Sequence, residues 1–219
     1  MLGNDVVDLR DPDSDAATLS SRFDRRVFTE AERSDIAQHA DSDTHRWRHW
    51  AGKEAAYKAL RREQPGVVFS PIRFEVDYRG GEAGEGHARY RNQPDGSSED
   101  STFRLQLLWD EPGALHVVAL ADSGPATDLV HDFCRVSELD PSVDSETPSR
   151  SVRKLACLRL AKRLDVDVKD LEVRKRGRIP ELWIREAPAP AVLSLSHHGG
   201  WVGFACVIRT EGLVGEWLS

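Results

Sequence analysis

The chain has 219 residues, with 30 Lys+Arg against 37 Asp+Glu and a formal net charge of −7. A chain of this length buries most of its apolar surface without disulfides or metals, and 39% hydrophobic with 31% charged residues marks a polar folded protein, not a disordered one. The negative charge argues against bulk nucleic-acid binding. No apolar run approaches the roughly 18 residues of a membrane span, and MLGNDVVDLRDPD has acids where a signal peptide needs a basic region and an apolar core.

In chain order, Gly3–Leu9 reads as a short strand built on Val6 and Val7. The acidic loop DPDSD follows. Thr29 and Glu32 have capping-box spacing and should open a helix. Arg46–Arg62 reads as a second helix, ended by Pro65, Gly66 and Pro71. Ile72–Tyr78 and Phe103–Trp109 alternate like strands, with the polar tract Gly80–Ser101 as a long hairpin loop between them. Leu115–Ala121 is another strand, and residues 137–149 have linker composition. Arg150–Leu164 is a basic amphipathic helix, and Ala191–Ser196 and Trp201–Ile208 are strands joined through HHGG. The organisation expected is a unit over 1–136, a linker over 137–149 and a second unit over 150–219.

Charge is uneven along the chain. Residues 82–146 hold 14 acids and 4 Lys+Arg, while 150–178 hold 11 Lys+Arg and 4 acids. A basic block inside an acidic protein suits an anionic ligand smaller than a nucleic acid; a solvated helix face explains it equally well. Cys134, Cys157 and Cys206 are widely spaced and form no CxxC, which fits a reducing cytoplasm.

The helix HRWRHWAGKEAAYKAL carries the sharpest anomaly. Trp47, Trp50, Ala51, Glu54, Tyr57 and Lys58 share one helical face, so Glu54 and Lys58 sit on the aromatic stripe. A carboxylate there needs a partner or a metal. An i,i+4 ion pair with Lys58, worth roughly 0.3–0.5 kcal/mol, is the competing reading. In the first strand Asp5 shares a face with Gly3, Val7 and Leu9. Asp5 and Glu54 together would suit a hard cation with oxygen ligands, such as Mg²⁺. Ser194 and Ser196 share one face of LSLSHHGG, and a Ser-His turn can offer donors to phosphate; a plain hairpin turn is the alternative. Arg174, Lys175, Arg176 and Arg178 flank Gly177 and Pro180, and no P-loop or GxGxxG is present.

Together these segments resemble the 4'-phosphopantetheinyl transferase superfamily. The first half is similar to the small holo-acyl-carrier-protein synthases. Gly3-Asn4-Asp5 stands for their G-x-D, Phe28–Glu32 for F-[ST]-x-x-E, and Trp50–Lys58 for W-x-x-K-E-A-x-x-K. The second half resembles the other half of the larger, surfactin-synthetase-type enzymes. Arg150–Leu164 matches their basic helix, Gly177–Pro180 their G-[KR]-x-P turn, and Leu193–Ala205 their Ser-His strand pair. The halves stand in the reverse order, as in a circular permutation, which is cheap when termini are adjacent. It would need Ala205–Ser219 to end near Met1. Val7 stands where many large members carry a third metal-binding carboxylate, and His198 where Ser or Thr is usual.

The resemblance implies an α+β fold: a pseudo-dimer of two similar halves, each a small antiparallel sheet packed on helices. It implies an Mg²⁺-dependent cytoplasmic transferase that moves 4'-phosphopantetheine from coenzyme A to a serine of an acyl or peptidyl carrier protein. By the same resemblance Asp5 and Glu54 hold the metal, Glu54 serves as base and Lys58 stabilises phosphate. Ser196 and His197 contact phosphate, and Arg153 and Arg178 contact the 3'-phosphate end. It also implies a monomer with pseudo-two-fold symmetry, no nucleic acid and no membrane. The basic helix 46–62 is a docking candidate for an acidic carrier. A member that binds coenzyme A or a carrier without turnover is the alternative, motivated by Val7 and the permuted order.

Overall fold

The computed structural model describes residues 1–15, 18–78, 84–92, 100–110, 113–121, 128–139 and 147–209. Strand β1 (Leu2–Asp8) leads through helices α1 (Ser21–Val27), α2 (Glu30–Gln38) and α3 (Ser42–Leu60) into β2 (Phe74–Asp77), β3 (Glu85–Tyr90), β4 (Ser101–Asp110) and β5 (Ala114–Ala121). These five strands form one antiparallel sheet in the order β1-β5-β4-β3-β2. The rest comprises β6 (Asp128–Arg135), α4 (Val136–Leu139), α5 (Pro148–Leu164), β7 (Leu171–Arg176), β8 (Ile179–Ile184), β9 (Ala187–Pro188), β10 (Ala191–His198) and β11 (Trp201–Ile208). They form one sheet ordered β10-β11-β6 and another ordered β7-β8-β9, with β8 running against β10.

The two halves repeat one plan. The first runs strand, long helix, then four strands, and so does the second: β6, α5, β7, β8, β10, β11, with the two-residue β9 as an insertion. Their strand orders also correspond, β1-β5-β4-β3-β2 against β6-β11-β10 followed by β8 and β7. Each half has its own core. Phe74, Phe103 and Leu115 close over the alanine face of α3, while Leu155, Leu160 and Phe204 join α5 to β11. This is the α+β pseudo-dimer expected from the sequence.

Local chemistry explains the helices. Thr29 and Glu32 form the expected reciprocal capping box on α2. The Asp41 side chain caps α3 by accepting from the Thr44 amide at 3.1 Å. Proline opens α5, and Asp165 ends it with a left-handed φ of 54°. Small residues on α3 let it lie close to β1. A Cβ on Gly3 would stand 2.0 Å from the Ala55 carbonyl oxygen.

The structure corrects several expectations. The tract 80–101 is not all loop, because Glu85–Tyr90 forms strand β3. Strand β6 pairs with β11, so the halves divide between Ala121 and Asp128, not after residue 136. Residues 137–149 are not a plain linker: Val136–Leu139 is helical and α5 begins at Pro148. The stretch 140–146 and the expected approach of residues 210–219 to Met1 lie outside the described residues. The 150–178 block is partly neutralised, since Arg159 pairs with Asp132 and Arg163 with Asp128 on β6.

Candidate active site

The seam between the halves is held by side chains. Among the described residues, strand β1 pairs with β5 along one edge only. On its other edge three amides donate to side chains of β10: Asn4 to Ser194 Oγ at 3.1 Å, Val6 to Ser196 Oγ at 3.2 Å, and Asp8 to His198 Nδ1 at 3.0 Å. The alternation of Ser194, Ser196 and His198 thus matches the spacing of the free edge of β1. Arg62 reinforces the seam by donating to the carbonyls of Leu2 and Leu193. Asp8 fixes the Gly-Gly turn by accepting from the Gly200 amide at 3.0 Å, and Gly199 adopts φ 52°, which favours glycine.

At the centre of the seam lies a cavity of about 400 Å³, lined by Asp5, Trp47, Trp50, Glu54, Lys58 and His197 among others. Asp5, only 7% exposed, accepts from Lys58 Nζ at 2.7 Å and from Ser196 Oγ at 2.8 Å. Lys58 also donates to Asn4 O and to Ser196 Oγ, each at 3.1 Å. The predicted aromatic stripe of α3 therefore faces a cavity, and Lys58 pairs with Asp5 instead of closing an i,i+4 bridge to Glu54. Ser196 spends its one donor on Asp5, and its lone pairs on Val6 N–H and Lys58. In this arrangement it positions Asp5 and has no hydrogen-bonding capacity left for a phosphate.

Glu54 has no hydrogen bond or ion pair among the described residues. Burial, then repulsion from Asp5, pushes its carboxyl up to about 7, against the pull of Lys58 and Arg61. Two carboxylates facing one cavity, one of them without a partner, fit a hard cation with oxygen ligands. Val7 lines the same cavity and adds no third carboxylate. His197 is exposed at the rim, its imidazole held below the ordinary histidine value by partial desolvation of the ring and by Lys58.

Because Glu54 keeps its proton in the folded state up to about pH 7 but loses it near 4.5 when unfolded, folding stability contributed by this group falls across that window as pH rises. Metal-free Glu54→Gln should therefore melt with wild type near pH 4.5 and above it near pH 8. The gain should be roughly 1–3 kcal/mol, after allowance for partial solvent screening. Chemical denaturation of both proteins in chelator at the two pH values checks this.

A second cavity, of about 510 Å³, opens where the end of α3 meets the β7–β8 turn. Tyr57, Arg61, Arg176, Gly177 and Arg178 line it. Arg178 is thus where an anion would meet several guanidinium groups, with Arg61 a contributor that sequence reasoning missed. Its signal was present: Arg61 follows Glu54 and Lys58 on the same helical face. Arg153 is not brought to either cavity. Its guanidinium donates back to Ser149 O at 2.8 Å and Ser149 Oγ at 3.1 Å within the first turn of α5.

Lys53, within the W-x-x-K-E motif, points away from the cavity and is fully buried. It donates to both Glu32 oxygens at 2.7 Å and to the carbonyls of Pro71 and Phe74. This lysine holds the fold together and does not reach the cavity.

The model of the 4'-phosphopantetheinyl transferase superfamily matches residues 1–107. A holo-[acyl-carrier-protein] synthase of Rhodopirellula baltica is 45% identical over 51 residues, 23% of this chain and 41% of that protein. The chain therefore spans well under two thirds of the relative's length. The crystal structure of the Thermotoga maritima holo-[acyl-carrier-protein] synthase aligns over 85% of this chain and 83% of its own, with a TM-score of 0.36 and 14% identity. Among the described residues, no helix is long and apolar enough to cross a membrane. The stretch 1–107 that matches the model of the 4'-phosphopantetheinyl transferase superfamily carries Asp5, Glu54 and Lys58.

Proposed function

We propose that this chain transfers 4'-phosphopantetheine from coenzyme A to a serine hydroxyl of an acyl or peptidyl carrier protein and releases 3',5'-ADP. One observation carries the reading. Asp5, Glu54 and Lys58 from the first half meet Ser196 and His197 from the second around a single cavity, although Asp5 and Ser196 are 191 residues apart. In the transfer, the serine oxygen bonds to the phosphorus that bears pantetheine, and the bond from that phosphorus to 3',5'-ADP breaks.

The residues have distinct tasks. Glu54 lines the cavity as the candidate acceptor of the serine proton; the rise of its carboxyl to about 7 is a property of the metal-free site, and a bound cation would lower it. Lys58 supplies positive charge to the phosphate oxygens, the dominant need in phosphoryl transfer. Asp5 and Glu54 would hold Mg²⁺, which when bound neutralises the pyrophosphate. Ser196 fixes Asp5 on its strand. His197 stands at the rim, able to donate to phosphate, while Arg61, Arg176 and Arg178 offer the second cavity to the 3'-phosphate of coenzyme A. Since one chain supplies both halves of the cavity, the protein is read as a monomer. The helix α3 offers an acidic carrier little open basic surface, because Lys53 is buried and Arg46, Arg48 and Lys58 are only partly exposed.

Mass spectrometry of a carrier protein incubated with coenzyme A, Mg²⁺ and this chain tests the reading. The carrier should gain one phosphopantetheine group. Glu54→Gln, which keeps the shape of the side chain, should fold and lose transfer by about 100-fold or more, the contribution general-base catalysis commonly makes. Full turnover by Glu54→Gln would remove Glu54 as base. No mass gain with carriers of fatty-acid, polyketide and peptide type would overturn the transferase reading.

A further inference from the structure

On the face of α3 turned away from Glu54, at about 100° per residue, stand His45, His49 and Lys53. His45 and His49 are one helical turn apart, the spacing that lets two imidazoles converge on one ion. Asp35 of α2 meets them. Its Oδ2 lies 2.8 Å from His45 Nε2 and 3.1 Å from His49 Nε2. One ligand atom from each residue lies within 4.8 Å of the others. Both histidines are buried, at 5% and 1% exposure, and Asp35 is half-buried.

Neither neutral tautomer satisfies all four ring nitrogens, and both Nε2 atoms converge on one Asp35 oxygen. If both rings donate Nε2–H to Asp35, both Nδ1 atoms are left as buried acceptors with no donor. His49 Nδ1 then directs its lone pair toward Glu32 Oε1, 3.8 Å away. In the other tautomer His49 Nδ1–H points at the Glu32 carboxylate, but the Nε2 lone pairs then converge on the Asp35 oxygen. A metal ion resolves the second case. It takes both Nε2 lone pairs and the carboxylate, while the Glu32 charge, 3.8 Å from His49 Nδ1, acts on that ring through space and not through a hydrogen bond. Burial holds both rings neutral, with His49 pushed down to about 4.

We propose that Asp35, His45 and His49 form a transition-metal site of the zinc class, separate from the Asp5–Glu54 cavity, that ties α2 to α3. Two imidazoles and one carboxylate suit Zn²⁺ and its neighbours, not Mg²⁺. Bonds of 2.0–2.2 Å place tetrahedral ligands about 3.3 Å apart, so side-chain rotations close the geometry. A cavity of about 140 Å³ opens onto Asp35 and His49, and its walls carry Glu32, Glu75 and Asp77. Of these, Glu32 is paired with Lys53 and Glu75 with Arg91. The site does not depend on the transferase reading.

The test uses the full chain, stripped with chelator and titrated with Zn²⁺ or Co²⁺ in a millimolar excess of Mg²⁺, which occupies oxygen-only sites. One equivalent should bind and raise the melting temperature. Co²⁺ should show the visible bands of a low-symmetry site, and X-ray absorption of the Zn²⁺ form should show two imidazoles. Asp35→Asn and His45→Gln should each weaken Zn²⁺ by at least about 100-fold, since losing even a supporting residue commonly costs 10–100-fold. Glu54→Gln should leave Zn²⁺ affinity unchanged. Failure of the wild type to bind stoichiometrically would overturn the site, as would absorption without imidazole. Wild-type affinity in both Asp35→Asn and His45→Gln would also overturn it. The absorption result needs no variant to fold.

Discussion

Lys53→Met should be among the most damaging single substitutions in this chain, lowering unfolding free energy by about 3–5 kcal/mol. The methionine keeps most of the stem's packing and removes only the ammonium. Glu32, 3% exposed, then stays buried with its charge unpaired. Glu32 is also committed elsewhere, accepting from the Thr29 amide at 2.7 Å and the Val76 amide at 2.8 Å, so it cannot turn to solvent. The lost ammonium also abandons the Pro71 and Phe74 carbonyls. Urea denaturation measures the effect. A loss under about 1 kcal/mol would mean that Lys53 reaches water. Combining Lys53→Met with Glu32→Gln should recover part of the loss, because removing both charges is cheaper than stranding one.

Gly3→Ala should cost at least about 2–3 kcal/mol, toward the upper end for overpacking. The added Cβ would lie 2.0 Å from Ala55 O and 2.6 Å from Ala59 N. Both are backbone atoms of α3, so no rotamer change relieves the clash. Strand and helix must separate, and Asp5, two residues along β1, moves with the strand. The variant should therefore lose stability in denaturant and also any binding that needs Asp5 and Lys58 at 2.7 Å. A melt within about 0.5 kcal/mol of wild type would contradict the close approach. The glycine of G-x-D is thus a packing requirement, whereas the aspartate serves the cavity.

Much of this was legible in the sequence because period and composition agreed. The aromatic stripe on α3 marked the cavity wall, and period-two alternation put Asp5 and Ser196 on useful faces. What stayed hidden depended on tertiary partners. Strand β3 turns Gly86, Ala88 and Tyr90 inward, and Tyr78 covers Gly86, so the usual apolar signal was absent. In β7 only Leu171 and Val173 are buried, and the basic residues around them masked the alternation. Arg153 looked like a ligand by motif, but its first-turn serine claims it. Ser194 and Ser196 were visible as one strand face, but His198, which continues that face, read as part of the turn. That the amides of Asn4, Val6 and Asp8 await them could not be read without the fold. The His45–His49 spacing was equally visible, but Asp35 arrives from another helix.

The side-chain seam on β1 gives that strand two kinds of amide proton with different fates. Those of Gly3, Asp5 and Val7 face β5 and are shielded by a ladder inside the first half. Those of Asn4, Val6 and Asp8 are shielded only by residues about 190 positions later in the chain. Parting of the halves would release the second set and leave the first protected. Neighbouring amides on one strand therefore act as separate clocks, one for melting of the first half and one for breathing of the joint. Since the cavity is built across that joint, the even-numbered clock also counts how often the candidate site comes apart in an otherwise folded molecule.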